Sequence, residues 1–261
     1  MVAAAAVWGV VEGAFLFYNR HELHFADLPE KCDGMTVVYA SDFHFDAFAS
    51  SKRLERMVEK INSFSPDLIL LGGDYANIRS VYFVECVNIL SRLHAKHGVW
   101  AVPGNHDWRN MPVLRAAMKQ AGIGLLENDG VWLGEGKDRW RLAGTADYWS
   151  GTLALQPALG GARPEDFVLL LQHNPDYAEA LPAGAADLML SGHTHAGQAT
   201  FFGLWSPFLF VPTRHGEKYR AGLVDDGGTK VYVSSGVGGL IFPLRYCAPP
   251  TVEVFTLRSG G

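Results

Sequence analysis

Apolar residues recur along the chain in two alternating patterns, which predict strands and helices in turn. Short and nearly unbroken apolar runs predict buried strands, whereas apolar residues spaced three or four positions apart predict amphipathic helices. Strands are predicted at residues 35–40, 68–71, 98–102, 123–126, 131–133, 139–144, 167–171 and 187–191. Helices are predicted at residues 50–64, 81–95 and 111–121. This alternation is typical of the α/β class.

Composition narrows the class of protein further. A chain of 261 residues with 48% hydrophobic and 19% charged residues is long enough for one large domain with a sizeable core. The net charge is -5 and no run of Lys or Arg is present, so we expect no nucleic-acid groove. Cys32, Cys86 and Cys247 lack a C-x-x-C spacing, which argues against a disulfide framework or a zinc knuckle.

The amino-terminal segment allows two interpretations. Residues 2–11 are apolar, Glu12 interrupts them, and apolar residues resume at 14–18. This stretch is too short for a membrane-spanning helix, which needs about 20 apolar residues, and it lacks the features of a signal peptide. It is either a segment packed on its own domain or part of a longer membrane anchor. We therefore assign residues 1–34 to an amino-terminal apolar segment and lead-in, and residues 35–261 to the main domain.

Five of the predicted strands are followed by short polar clusters. Ligands of α/β sheets bind beyond the carboxyl ends of the strands, so we expect these clusters to meet at one edge. His193 and His195 are two positions apart, and on an extended chain both side chains would point to the same side. The clusters together contain Asp42, His44, Asp74, Asn105, His106, His173, His193 and His195.

Each cluster alone has an ordinary structural explanation. Asp42 could cap a helix, Asp74 follows two glycines as in a turn, and His173 could be a buried core histidine. These explanations do not account for the occurrence of all five clusters at the same end of a strand. Carboxylates, one amide and several imidazoles suit Mn, Fe or Zn better than Ca or Mg. Because there are too many ligands for one tetrahedral site, we predict two metal ions that share a carboxylate.

The polar motifs resemble those of the calcineurin-like metallophosphoesterase superfamily. They are Asp42-x-His44, Gly73-Asp74, Gly104-Asn105-His106-Asp107, His173 and Gly192-His193-Thr194-His195, and the resemblance extends from residue 36 to residue 257. The resemblance implies the metallo-dependent phosphatase fold for residues 35–261. This fold is a four-layer αββα sandwich of two mixed β-sheets flanked by helices.

The carboxyl-terminal part is similar to a bacterial, membrane-associated phosphodiesterase branch of this superfamily. Its motifs are Lys218-Tyr219-x-x-Gly222-Leu223, Val233-Ser234-Ser235-Gly236-Val237-Gly238 and Arg245-x-x-x-Pro249-Pro250. Members of that branch often carry an amino-terminal membrane anchor. Ala196 and Thr251 differ from the usual Gly and Glu of the branch, and neither difference removes a metal ligand.

The resemblance also implies roles for the site residues. One metal ion would be held by Asp42, His44, Asp74 and His195. The other would be held by Asp74, Asn105, His173 and His193. A hydroxide that bridges the two ions would attack phosphorus, because metal binding brings the pKa of water to about 7. His106 would stabilise the transition state or protonate the leaving oxygen, and its neighbour Asp107 would orient that imidazole or shape the turn.

The implied activity is metal-dependent hydrolysis of a phosphodiester or pyrophosphate bond. We expect a membrane-associated enzyme on the cytoplasmic face, and family analogy makes a UDP-2,3-diacylglucosamine-like nucleotide lipid one candidate substrate. The aromatic residues 200–212 suggest a membrane-facing or acyl-binding lip, although residues 208–211 could instead form a core strand. Candidate substrate contacts are Asp147, Arg214, His215 and Lys218.

Two other functions remain open at the level of sequence. One is a soluble cytoplasmic phosphatase or cyclic-nucleotide phosphodiesterase. The other is a non-catalytic metal-binding scaffold, which we rank last because scaffolds of this kind usually lose ligands and this chain has all of them. The same ligand set binds Mn, Fe or Zn, so the metal identity also stays open.

Overall fold

The computed structural model describes residues 2–46, 49–77, 79–208, 213–240 and 244–260. Within these residues, two six-stranded β-sheets pack against each other and helices cover their outer faces. Each sheet contains both parallel and antiparallel neighbours. The predicted four-layer αββα sandwich is therefore confirmed.

The strands and helices alternate along most of the chain. The strands are β1 (Phe17–Phe25), β2 (Met35–Ala40), β3 (Leu68–Leu71), β4 (Val99–Ala101), β5 (Gly124–Leu125), β6 (Asp129–Leu133), β7 (Trp140–Gly144), β8 (Val168–Leu171), β9 (Leu188–Ser191), β10 (Gly222–Asp226), β11 (Thr229–Val233) and β12 (Thr251–Ser259). The helices are α1 (Val2–Ala14), α2 (Ser51–Asn62), α3 (Ser80–Leu90), α4 (Met111–Ala121) and α5 (Leu155–Leu159). The spatial order is β1-β12-β2-β3-β4-β5 in the first sheet and β10-β11-β9-β8-β7-β6 in the second.

Strand β3 shows why the central strands are apolar throughout. Its four residues are fully buried, because successive side chains point to opposite faces of the sheet and both faces are covered. Leu68 and Leu70 join the core between the two sheets, where they pack with leucines of β8 and β9. Ile69 and Leu71 face the opposite way and pack with apolar residues of α2, α3 and α4.

The predicted elements match the structure closely, with a few differences. Strands β2 and β3 and helix α4 have the predicted bounds. Helix α3 ends at Leu90 instead of residue 95, because a turn in which the amide of Leu93 donates to the carbonyl of Leu90 closes it. Strands β1, β10, β11 and β12 were not predicted. Strand β1 is an edge strand in which five of nine residues are polar and only two are buried, so its pattern carries little hydrophobic signal.

The amino-terminal residues are hydrogen-bonded to the rest of the domain. Strand β1 pairs with β12 in parallel. The amide of Arg245 donates to the carbonyl of Gly9 in α1, and the Glu12 carboxylate accepts bonds from the amides of Cys247 (3.0 Å) and Ala248 (2.7 Å). Among the described residues, no helix has the length and apolarity needed to cross a bilayer. The division of the chain at residue 34 stays a prediction.

Candidate metal centre

The five polar clusters come together from both sheets. Strands β2, β3 and β4 are parallel neighbours, and the loops that follow them carry Asp42, Asp74 and Asn105. Strands β8 and β9 are parallel neighbours in the second sheet, and they are followed by His173 and His193. The sequence predicted that the clusters meet at one edge. In the structure, two packed sheets build this edge. Three clusters follow strands of the first sheet, and two follow strands of the second.

The backbone of the centre is held in an uncommon conformation. Five of the predicted ligands have positive φ angles: Asp42 (55°), His44 (42°), Asp74 (56°), His193 (69°) and His195 (51°). Residues other than glycine seldom adopt this conformation, and such strain persists at functional sites where the surrounding fold enforces it. A side chain at Gly192 would overlap the Asp42 carboxylate, so glycine allows the loop after β9 to approach the loop after β2.

The first group of ligands is formed by Asp42, His44 and His195. Nε2 of His44 lies 2.9 Å from Nε2 of His195. Nε2 of His195 lies 3.5 Å from Oδ1 of Asp42. Nε2 of His44 lies 3.5 Å from Oδ2 of Asp74, so the Asp74 carboxylate borders this group.

The second group is formed by Asn105, His173 and His193. Oδ1 of Asn105 lies 2.8 Å from Nδ1 of His193 and 3.1 Å from Nε2 of His173. Nε2 of His173 in turn lies 3.3 Å from Oδ2 of Asp74. The same oxygen of Asp74 is therefore next to a histidine of each group.

These spacings fit metal coordination. Ligand atoms that are about 2.0–2.2 Å from one ion lie roughly 3–3.5 Å from one another. Nδ1 of His173 lies 2.7 Å from the carbonyl oxygen of Gly72, so Nδ1 carries the proton and Nε2 presents a lone pair. Nδ1 of His44 lies 2.7 Å from Oδ1 of Asn77 and has the same role. The clustered His and Asp side chains could therefore hold divalent metal.

The electrostatics of the centre favour a cation. Burial lowers the pKa of His44 to about 4, which keeps this imidazole in the neutral form that binds metal. Burial raises the pKa of Asp42 to about 6. For His173, burial disfavours the charged ring, but the carboxylates of Asp74 and Asp42 outweigh it and raise the pKa. A metal ion can replace the proton that these carboxylates attract.

His106 lies at the open side of the centre. Its amide donates a 2.8 Å hydrogen bond to Oδ1 of Asp74, and its ring meets the ring of His44 edge-on, with 4.8 Å between the centroids. His106 is partly exposed and borders a cavity of about 390 Å³, together with Asn105 and Arg109. This position allows the imidazole to reach a molecule bound in the cavity.

Asp107 contacts the backbone around the site. Its buried carboxylate accepts hydrogen bonds from the amides of Gly104 (2.7 Å), Asp74 (2.8 Å) and Tyr75 (2.9 Å). These bonds tie the loop after β4 to the loop after β3. They support the turn role, and orientation of the His106 imidazole by Asp107 stays a prediction.

The four candidate substrate contacts lie in two places: Asp147 is in a loop beside the metal centre, whereas Arg214, His215 and Lys218 lie beside carboxylates elsewhere. Asp147 is fully buried, and its Oδ2 accepts bonds from the amides of Trp149 and Ser150. It therefore shapes a loop in which Trp149 packs edge-on against His193, at 4.9 Å between centroids, and Ser150 borders the cavity next to His106. Contact of Asp147 with a substrate stays a prediction.

The basic candidates lie beside carboxylates. Lys218 forms ion pairs with Glu179 and Asp226, and Nδ1 of His215 lies 3.8 Å from Glu179. The amide of Arg214 donates to the buried carboxylate of Asp176. Contact of these three residues with a substrate stays a prediction. The predicted strand at residues 208–211 includes positions outside the described residues.

Arg245 was not predicted as a site residue. It is fully buried, its Nη1 donates to the carbonyl of His195 (2.8 Å), and its Nη2 lies 3.2 Å from Nδ1 of His195. Further bonds go to the carbonyls of Ser235, Gly236, Gly238 and Ala248. One guanidinium thus fixes the loop that carries His195. The motif Arg245-x-x-x-Pro249-Pro250 marked this residue, but the sequence offered no signal for its contact with His195, because the two residues are 50 positions apart.

We expect Arg245→Lys to weaken metal binding by about 10–100-fold, the usual effect of losing a residue that orients a ligand. Lysine keeps the charge but cannot reproduce the planar fork of donors. The measurement is a Mn²⁺ titration of the apoprotein by calorimetry. Arg141→Lys is the matched control, since Arg141 is also buried and donates to the carbonyls of Ala158 and Pro157, away from the ligands. Equal Mn²⁺ affinity in wild type and Arg245→Lys would contradict the role.

Comparisons with known proteins show the family of the chain. Residues 35–197 match the family described as calcineurin-like phosphoesterase. The chain is 32% identical to phosphodiesterase YaeI of Escherichia coli over 243 residues, covering 91% of this chain and 87% of that protein. It is 30% identical to the uncharacterized metallophosphoesterase YkuE of Bacillus subtilis over 249 residues, covering 92% and 85%.

A solved structure shows the same fold. The sulfate thiohydrolase SoxB of Thermus thermophilus superposes with a TM-score of 0.53 at 14% identity, covering 87% of this chain and 57% of that one. The family match and the two bacterial relatives cover the motifs that carry the clustered ligands. The chain therefore belongs to the calcineurin-like phosphoesterase family and is a metal-dependent phosphoester hydrolase.

Proposed function

We propose that the chain is a phosphodiesterase with two metal ions, for which Asp74 is the shared ligand. Asp42, His44 and His195 would complete one ion's ligand set, and Asn105, His173 and His193 the other's. The observation that supports this most strongly is the position of Oδ2 of Asp74, at 3.5 Å from Nε2 of His44 and 3.3 Å from Nε2 of His173.

The protein's own groups would complete the reaction. When bound, the ions supply water with a lowered pKa and neutralise charge on the phosphoryl oxygens. His106 faces the cavity beside Asn105, where it would donate a proton or a hydrogen bond to the ester oxygen that leaves. The buried ligands keep bulk water from the reacting groups on the inner side.

We propose that the enzyme prefers diesters to monoesters. Two observations support this: a cavity lies next to His106, and the relative YaeI is named a phosphodiesterase. The test is hydrolysis of bis-p-nitrophenyl phosphate and p-nitrophenyl phosphate by metal-stripped protein with Mn²⁺ added back. Faster turnover of the diester supports the proposal. Faster turnover of the monoester would instead favour the soluble phosphatase.

We also propose that the enzyme associates peripherally with membranes and acts there on a lipid-linked substrate. Large apolar side chains are exposed at one loop, where Phe202 is 70% and Leu204 79% accessible. On α1, Val7, Trp8 and Val10 are more than half exposed. Aromatic and apolar side chains of this kind favour the membrane interface.

The exposed loop, residues 201–205, and helix α1 both adjoin residues 245–248. Thr200 Oγ1 donates to the carbonyl of Cys247, and Glu12 of α1 accepts from the amide of Cys247. The apolar residues of the loop are Phe201, Phe202, Leu204 and Trp205. Because segment 245–248 also contains Arg245, the proposed membrane contact would lie beside the metal centre.

A combined change of Phe202, Leu204 and Trp205 to Ser should remove most binding to lipid vesicles. Each large apolar group that enters the interface contributes about 1.5–3 kcal/mol at full burial, so losing three should weaken partitioning at least about 100-fold. The measurement is co-flotation with vesicles of phosphatidylethanolamine and phosphatidylglycerol. The matched control is Val81→Ser with Leu223→Ser, which are exposed at other elements. Weak flotation of the wild type would argue for the soluble alternative.

A further inference from the structure

Arg53 of α2 is a positive charge held among apolar groups. Arg53 is half-buried, and among the described residues its buried Nε and Nη2 atoms have no hydrogen-bond partner and the side chain forms no ion pair. Burial lowers the pKa of this guanidinium, while Tyr18 acts in the opposite direction. Buried donors of a charged group without a partner are unfavourable, so an anion bound beside Arg53 would stabilise this position.

The unpaired guanidinium borders a cavity of about 230 Å³ between α1 and the start of α2. Val10 and Ala14 of α1 form an apolar wall, and Ser50 and Gly238 border the cavity on other sides. A single water needs about 10–15 Å³, so the cavity admits a group of several non-hydrogen atoms. We name it the Arg53 cavity.

The one acidic residue that borders the Arg53 cavity within the described chain is Asp46. Its carboxylate accepts a 2.7 Å hydrogen bond from Nδ2 of Asn77, and that amide in turn fixes the ring of His44. Asp46 is therefore engaged with the ligand shell of the metal centre.

The Arg53 cavity adjoins the metal centre through His44. His44 borders this cavity, while His106 borders the cavity of about 390 Å³. The two rings meet edge-on, so the residues that border the two cavities are in contact with each other. A second guanidinium reinforces the positive potential, because Nε of Arg245 is bonded to the carbonyl of Gly238 on the cavity wall.

We propose that the Arg53 cavity binds a second anionic group of the substrate, a carboxylate or phosphate on the ester arm that does not leave. The inference rests on the phosphodiesterase function proposed above. The scissile phosphate would lie at the metal centre, the leaving arm in the cavity of His106, and the other arm across His44 towards Arg53. The apolar wall of α1 would contact the carbon chain that joins the two charges.

The test compares two synthetic diesters with the Mn-loaded enzyme. One is p-nitrophenyl 4-carboxybutyl phosphate and the other is p-nitrophenyl pentyl phosphate, which has an uncharged arm of similar length. Wild type should prefer the charged arm about 10–100-fold in kcat/KM, as expected for a hydrogen bond between charged groups. In Arg53→Gln this ratio should fall to about one. Arg53→Met, which keeps the apolar stem, should show the same loss.

The matched control is Arg56→Gln on the same helix. Arg56 is exposed, so its removal changes the net charge equally and leaves the cavity intact. The control should keep the wild-type preference. The inference is overturned by a wild-type ratio near one, by a ratio that survives in folded Arg53→Gln, or by an equal loss in Arg56→Gln. Thermal melts confirm that each variant is folded.

If the proposed phosphodiesterase function is wrong, the outcome differs from that of a wrong assignment of Arg53. If the wild type hydrolyses neither diester, the phosphodiesterase proposal fails, and calorimetric titration of the same two diesters then decides the role of Arg53. Tighter binding of the charged arm by wild type than by Arg53→Gln supports the anion site. Equal binding by both proteins excludes it.

Discussion

Asp74→Asn should lower diester turnover at least about 1,000-fold. Two ions stabilise the transition state by several kcal/mol, and each 1.36 kcal/mol corresponds to about a factor of ten. Asn keeps the size of the side chain and the acceptor for the His106 amide, but it removes the negative charge next to His44 and His173. The change should therefore affect metal occupancy more than folding.

The experiment measures bis-p-nitrophenyl phosphate hydrolysis and bound Mn in the same samples. Asp187→Asn is the matched control, because the Asp187 carboxylate also accepts a hydrogen bond from a backbone amide, that of Val168, and this bond is part-buried. Asp187 precedes β9 and therefore lies at the other end of the sheet. Asp74→Asn should bind fewer than the wild-type number of ions, while the control binds the full number. Full turnover by Asp74→Asn would exclude Asp74 as a shared ligand.

His106→Ala should lower kcat about 100–10,000-fold while both metal sites keep their affinity. This range is typical of the loss of a general acid or base. The contact of His106 with Asp74 is made by the backbone amide, which alanine retains. The change therefore separates the chemical role of the imidazole from metal binding.

The leaving group provides the sharper test of His106. If the imidazole protonates the leaving oxygen, the loss should be large for an alkyl leaving group and small for p-nitrophenolate, which leaves without a proton. A uniform loss for both leaving groups would indicate stabilisation of the phosphoryl charge instead. His94→Ala, at an exposed position away from the site, should match the wild type in both assays. Undiminished kcat in His106→Ala would remove the residue from the mechanism.

Much of the fold could be predicted from local patterns. Leu68–Leu71 and Met35–Ala40 are short apolar runs with turn residues after them, and burial on both faces of a sheet demands such runs. Met111–Ala121 has helical spacing and ends at Gly122, whose φ is 71°. The edge strands β1 and β10 were not predicted, because polar residues are tolerated where a strand faces solvent. The inner strands β11 and β12 were also missed, although most of their residues are buried.

The metal ligands were predictable for a related reason. A loop at the carboxyl end of a buried strand has a defined position, so the order of strands and loops along the chain predicts that Asp42 and Asp74 lie together. His173 follows β8 of the second sheet, so its approach to them depends on the packing of the two sheets. Residues that act through long-range contacts had no such signal. Arg245 contacts the loop of His195 across 50 positions, and Nε and Nη2 of Arg53 have no hydrogen-bond partner among the described residues.

The sequence by itself determined the family, the α/β class and the polar residues that follow each strand, because these depend on local patterns and short motifs. Only the tertiary structure decided that Asp74 lies between two histidine groups, that Asp107 binds backbone amides, and that Arg245 fixes His195. The physical reason is that burial and hydrogen bonding are set by packing between two sheets. Packing brings together residues that are far apart in the sequence, and their sequence separation does not predict their distance in space.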